Sequence, residues 1–153
     1  MDNRMILNRE YINTLFTHLF HQILDIEAGY LRSKGITDLS MSEMHLLDDT
    51  ATLFYPTMSE IAQAASLTNG TVTTSIKKLE GKGYVTRKRD EHDKRIIRVE
   101  LTHKGFQAVG HHNAFHEDMV DAICKKTDIT TNEVLMQSLR QLTYFFEDMK
   151  ESY

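Results

Sequence analysis

The 153-residue chain is predicted to be mainly α-helical with one small β-hairpin, and three observations carry that reading. Apolar residues recur at spacings of three and four over most of the length, the spacing of amphipathic helices. Between Tyr84 and Leu101 the period changes to alternation, the pattern of half-buried strands. Three S/T-x-x-E boxes, at Ser40 to Glu43, Thr57 to Glu60 and Thr130 to Glu133, mark helix starts, because hydroxyl and carboxylate satisfy each other's free backbone N–H groups.

The first helix is expected from about Arg9 to Arg32, with Ile12, Leu15, Phe16, Leu19, Ile23, Ile26 and Tyr30 on its apolar face and Gly35 ending it. A second follows Ser40 and carries Met44, Leu47, Ala51 and Phe54. A third, short one opens at the Thr57 box and stops at Ser66 and Leu67. Thr68 then caps a fourth with Val72, Ile76 and Leu79 on one side. After Gly81 and Gly83, Tyr84 to Lys88 reads as a strand, with Ile97, Val99 and Leu101 on its return and a charged tip, Arg89 to Lys94, between them. Thr102 starts a helix carrying Phe106, Val109, Phe115, Met119, Val120 and Ile123. The Thr130 box starts the last, which carries Leu135, Leu139, Leu142, Phe146 and Met149.

With 41% hydrophobic and 26% charged residues the chain has the composition of a globular domain. Cys124 is the only cysteine, so no internal disulfide can form, and its place in an apolar turn reads as core. The charged N-terminus is unlike a signal peptide and no apolar run reaches the ~18 residues of a membrane span, so a cytoplasmic protein without membrane contact is expected. The net charge of −4 hides an asymmetry. From Lys77 to Lys104 ten basic residues face five acidic ones, an excess of +5, which leaves −9 for the rest. A short basic module in an acidic body suits a protein that meets phosphate on one face only.

Helix, tight turn, helix and basic hairpin form the plan of a winged helix-turn-helix, expected over residues 37–102, in which the second of the two helices enters the DNA major groove. Asn69, Gly70, Thr71, Thr73, Thr74, Lys77 and Lys78 then face DNA, opposite Val72, Ile76 and Leu79. Arg87, Lys88, Arg89 and Lys94 on the hairpin are candidate phosphate contacts.

The run TVTTSIKKLE at 71–80, followed by Gly83-Tyr84-Val85, Asp93-Lys94-Arg95 and Leu101-Thr102-His103-Lys104-Gly105, resembles the signature of MarR-type transcriptional regulators. The resemblance implies that Arg95 is the wing arginine that enters the minor groove and that Asp93 braces it. It also implies that residues 1–36 and 103–153 form a helical dimerisation region, giving a homodimer that binds a pseudo-palindromic double-stranded DNA operator. More narrowly, Ser42-Glu43-Met44-His45, the stretch Gly70-Thr71-Val72-Thr73-Thr74-Ser75, Phe115-His116 with Met119-Val120, and Phe146-Glu147-Asp148-Met149 resemble the FabT-type branch. That likeness implies repression of fatty-acid synthesis genes with long-chain acyl groups on acyl carrier protein as corepressor. The effector would lie among Phe16, Phe20, Met44, Leu47, Phe115 and Met119.

No catalytic motif occurs: there is no Gly-rich phosphate loop, H-E-x-x-H or G-x-S-x-G, so the chain is not read as an enzyme and no cofactor is expected. His112 and His116, four residues apart on the apolar stripe, are expected to turn inward together. They read as hydrogen-bonded core histidines. The alternative is a zinc-responsive regulator in which His45, His112 and His116 supply ligands.

Overall fold

A computed structural model describes residues 3–152. The elements run α1 (Asn3–Ser33), α2 (Met41–Ala51), α3 (Met58–Ala64), α4 (Asn69–Gly81), β1 (Val85–Arg89), β2 (Ile97–Leu101), α5 (His103–Lys126), a 3-10 turn (Asp128–Thr131) and α6 (Glu133–Glu151). They form two compact units, the first ending at Asn113 and the second beginning at Ala114, so the boundary falls within α5. No helix among the described residues is long and apolar enough to cross a membrane.

Local signals set most of the boundaries in the first unit. The Ser40–Glu43 and Thr57–Glu60 boxes both close in two directions, and Thr68 accepts from the Thr71 N–H at 3.2 Å. Each such cap is worth about 0.5–2 kcal/mol. Gly35 ends α1 at φ 85°, a left-handed conformation that suits a residue without a Cβ, and lets the Ile36 N–H reach the Leu31 carbonyl at 3.0 Å. The core joins Met44, Leu47, Ile61, Val72, Ile76, Leu79, Tyr84, Val85 and Val99, with Leu31 of α1 and Ala108 and Val109 of α5. Burying each large aliphatic side chain fully contributes about 1.5–3 kcal/mol.

β1 and β2 pair antiparallel, with Val85 opposite Leu101 and Arg89 opposite Ile97. A third segment joins them: Thr57 bridges Arg98, and the Val99 N–H donates to the Pro56 carbonyl at 2.9 Å. The hairpin is therefore fastened to the loop between α2 and α3 as well as to α4.

Several expectations change. α2 ends at Ala51, and Phe54 lies beyond it with its ring fully exposed. On α1 Glu27 turns inward at 1% exposed, while its neighbour Ile26 is 62% exposed, a rotation of one position. The α1 residues Ile12, Leu15 and Leu19 are also exposed, and Phe16 is half-buried. Cys124 is exposed rather than core. In the second unit the T-x-x-E box at Thr130 does not form. Thr130 lies in the 3-10 turn, and Asn132 caps α6 by accepting from the Leu135 N–H at 3.0 Å.

Candidate nucleic-acid interface

α4 presents two opposite faces. Val72, Ile76 and Leu79 are fully buried, which fixes the rotation of the helix on its axis. Asn69, Gly70, Thr71, Thr74, Lys77 and Lys78 are exposed and Thr73 is half-buried. The Thr73 hydroxyl donates to the Asn69 carbonyl at 2.8 Å and that of Thr74 to the Gly70 carbonyl at 3.1 Å. Their protons are thus committed to the helix, while their oxygens keep lone pairs that can accept from a base or a bridging water. The first turn carries no acidic residue, so its backbone N–H groups and positive dipole end meet no local anion, a favourable place for a phosphate.

The wing is more heavily paired than its composition suggests. Arg87 grips Glu80 through Nη2 at 2.5 Å and Nε at 2.8 Å, which holds the Glu80 carboxyl below the usual range. Lys88 pairs with Glu100 across the hairpin, and that contact raises the lysine pKa. Arg89 and Lys94 are exposed.

Asp93 accepts from the Arg95 backbone N–H at 2.9 Å, and its Oδ1 lies 3.7 Å from the Arg95 Nε. The Arg95 side chain is 94% exposed, so the acid orients the arginine without covering it. Asp90 is a second brace that the sequence reading passed over. Arg98 pairs with it and Asp90 also accepts from the backbone N–H groups of Asp93 and His92, which together hold its carboxyl well below the usual range. From its other end Arg98 donates to the Tyr55 carbonyl at 2.8 Å. Asp-x-x-Asp at a hairpin tip was the available signal, since an Asx turn needs only the first of the two.

Lys104, in the Leu101 to Gly105 motif, ties the hairpin to the loop before α2. Its Nζ lies 3.1 Å from Asp38, 2.9 Å from the Lys82 carbonyl and 4.0 Å from the Tyr84 ring centroid. The Tyr84 hydroxyl donates to Asp38 at 2.5 Å, the main reason that the Asp38 pKa is lowered. Burial and then that same carboxylate push the Tyr84 pKa up.

The histidines assemble differently from the expectation. Among the described residues one group is arranged to share a cation, and it is Glu27, His45 and His112, whose ligand atoms lie within 4.8 Å of one another. His112 Nε2 is 2.9 Å and His45 Nε2 3.4 Å from Glu27 Oε1. His112 is buried, but His116 is only half-buried, sits edge-on against Phe115 and does not belong to the group. Glu27 was the missing member; a carboxylate three residues before Tyr30 and four after Ile23, on an apolar stripe, was its signal.

Of the residues expected to meet an effector, Met44 and Leu47 are fully buried core members. Phe16 and Phe20 stack on each other with centroids 6.4 Å apart, and Phe115 is buried.

A buried-faced recognition helix, a braced wing and a basic surface define a DNA-binding winged-helix protein. Residues 39–97 match the MarR family model. The chain is 35% identical to Streptococcus pneumoniae FabT, solved in complex with DNA, over 92% of this chain and 99% of that one, with a TM-score of 0.84. It is 29% identical over 105 residues to the transcriptional regulator SarZ of Staphylococcus epidermidis, covering 66% of this chain and 69% of that protein. The Staphylococcus aureus MepR–DNA complex shares the fold at 21% identity over 88% of this chain and 97% of that one, with a TM-score of 0.69. The chain belongs to the MarR family of DNA-binding transcriptional regulators, and these relatives are regulators rather than enzymes.

Proposed function

We propose that this protein is a repressor that binds a pseudo-palindromic operator as a homodimer and controls fatty-acid biosynthesis genes, with long-chain acyl-acyl carrier protein as corepressor. The observation that carries this reading is the likeness, over nearly the whole chain, to FabT bound to DNA. Asn69, Gly70, Thr71, Thr73, Thr74, Lys77 and Lys78 would meet the major groove, Arg95 braced by Asp93 the minor groove, and Arg89 and Lys94 the phosphates. The attraction of a guanidinium to the negative potential of a narrow minor groove supports the role of Arg95. A DNA-bound role also supports location in the cytoplasm. Operator titrations followed by fluorescence anisotropy, with holo-carrier, short-chain and long-chain acyl carrier protein, test the reading. Tightening with the long chain is expected; equal affinity in all three removes this corepressor.

The Glu27, His45 and His112 group favours a second reading, a zinc-responsive regulator. Two imidazoles and a carboxylate are a common zinc donor set that leaves a fourth position open. Asp48 Oδ1, 3.6 Å from His112 Nδ1, is placed to orient that ring from outside. Under the first reading, a chelator leaves operator affinity unchanged. A drop of about tenfold, restored by zinc, would reverse the order of the two.

A further inference from the structure

A cleft of about 580 Å³ opens among the α2–α3 loop, β2 and the start of α5, walled by Leu53, Phe54, Pro56, Val99, Leu101 and Phe106. Its volume and apolar walls are those of a small-molecule site. Phe54 is fully exposed and Phe106 is 60% exposed, so two aromatic rings stand ready to cover an apolar group. The one charged residue of the wall is Glu100, which Lys88 already neutralises. With no cation facing inward, a free carboxylate would be desolvated without a partner, whereas an uncharged chain would not.

The cleft is also connected to the wing. Its floor includes Tyr55, a non-glycine residue held at φ 51°, a sparsely populated conformation that marks a loop under constraint. The Tyr55 carbonyl accepts from Arg98 at 2.8 Å, and the Arg98 guanidinium lies 5.5 Å from the Tyr55 ring centroid. Arg98 pairs with Asp90, and Asp90 accepts from the Asp93 N–H at 3.1 Å. Asp93 in turn accepts from the Arg95 N–H at 2.9 Å. The loop and the wing arginine are therefore joined by an unbroken series of bonds.

The geometry points to this cleft as the seat of the corepressor's acyl chain, with Arg98 as the positioning residue that passes its occupancy to the wing. The inference rests on the corepressor reading above and adds the site and the route. A chain seated here acts on DNA binding because it favours the setting of the Tyr55 loop in which the cleft is open, and Arg98 ties that setting to the wing tip. A thioester-linked acyl group is neutral where a free fatty acid is not, so the carrier-bound form is the one the cleft accepts.

The full-length protein is incubated with acyl carrier protein bearing a hexadecanoyl chain that ends in a diazirine, then irradiated. Labelling is expected within 50–56 and 99–106. Labelling elsewhere, with operator binding still tightened, overturns the cleft and leaves the corepressor reading standing; neither labelling nor tightening overturns both. Free hexadecanoic acid is expected not to compete, and competition equal to that of the carrier-bound chain overturns the choice of an uncharged occupant. Phe54→Asp and Phe106→Asp, at exposed positions, should cut the effector response by about tenfold while effector-free operator affinity stays within about twofold. An undiminished response, or loss of dimer by these variants in light scattering, overturns the proposal, the latter by making the cleft an interface between copies. Arg98→Lys keeps the charge but loses the forked grip, so labelling should persist while the tightening falls by about fivefold or more. Tightening that survives in Arg98→Lys removes Arg98 from the route.

Discussion

At the scale of single residues, Gly105 shows how little room the hairpin leaves where α5 begins. A Cβ there would lie 2.2 Å from the Tyr84 carbonyl oxygen and 3.3 Å from Leu101. The first of those neighbours is backbone, so it cannot swing aside. Gly105→Ala should cost about 1–3 kcal/mol, read as a lower urea midpoint at unchanged slope. Gly110, in the same helix, has nothing within 4 Å of the equivalent position. Gly110→Ala should therefore stabilise by about 0.5–1 kcal/mol, because only the helix preference changes. If the two substitutions have equal effects, the close approach of α5 to the Tyr84 carbonyl is not what fixes that glycine.

At the scale of elements, three carboxylates fasten the pieces of the DNA-binding region. Asp38 holds Tyr84 and Lys104, and Asp90 holds Arg98. Burial of Glu43 favours its neutral form, but bonds from Lys82 and Ser40 outweigh this and leave its pKa lowered. All three have folded-state pKa values below their ordinary ones, 3.8 for the aspartates and 4.5 for the glutamate. Their contribution to stability is full above those ordinary values and is lost as pH falls through the folded ones. Melting temperature should accordingly fall as the solution is acidified below about pH 4, and Asp38→Asn should flatten that fall. A parallel profile in the variant would exclude Asp38 as a source of the acid sensitivity. The bonds from Asp38 to Tyr84 and Lys104 and from Glu43 to Lys82 could not be read from the sequence, because each joins residues far apart in the chain. What could be read was local: the caps at Ser40, Thr57 and Thr68, the apolar side of α4 and the switch to alternation at the hairpin. The same local logic failed at Thr130, where a 3-10 turn intervenes and Asn132 competes as cap. It failed again at Glu27 and Ile26, because periodicity in an apolar-rich helix defines a stripe too broad to choose between adjacent positions.

At the scale of the whole molecule, the long helices leave apolar side chains in water. Ile12, Leu15, Leu19 and Phe20 of α1 and Leu135, Leu139, Phe146 and Met149 of α6 are each between 37% and 61% exposed. Apolar stripes left exposed along a helix in this way are uncommon on monomers. The expected outcome is a homodimer in light scattering at micromolar concentration, with operator half-sites about one DNA turn, ~34 Å, apart. A monomer under those conditions would remove the two-fold operator from the reading.

The ion pairs of the wing bear on how the protein finds its site. Glu80 and Glu100 already neutralise Arg87 and Lys88, so a phosphate approaching either cation must displace a resident carboxylate instead of a loosely held counterion. Lys88→Ala should then change the salt slope of operator binding by less than the ~0.9 expected of an unpaired phosphate contact, whereas Arg95→Ala should cost about 1–3 kcal/mol of specific affinity. A full unit of slope lost in Lys88→Ala would show that the Glu100 pair opens freely on DNA. A wing that carries its own competitors for phosphate, on a chain of net charge −4, should hold random DNA weakly. Such a protein would spend less of its time stalled on the rest of the chromosome, and its occupancy of the proposed operator would depend mainly on the match of shape and bases there.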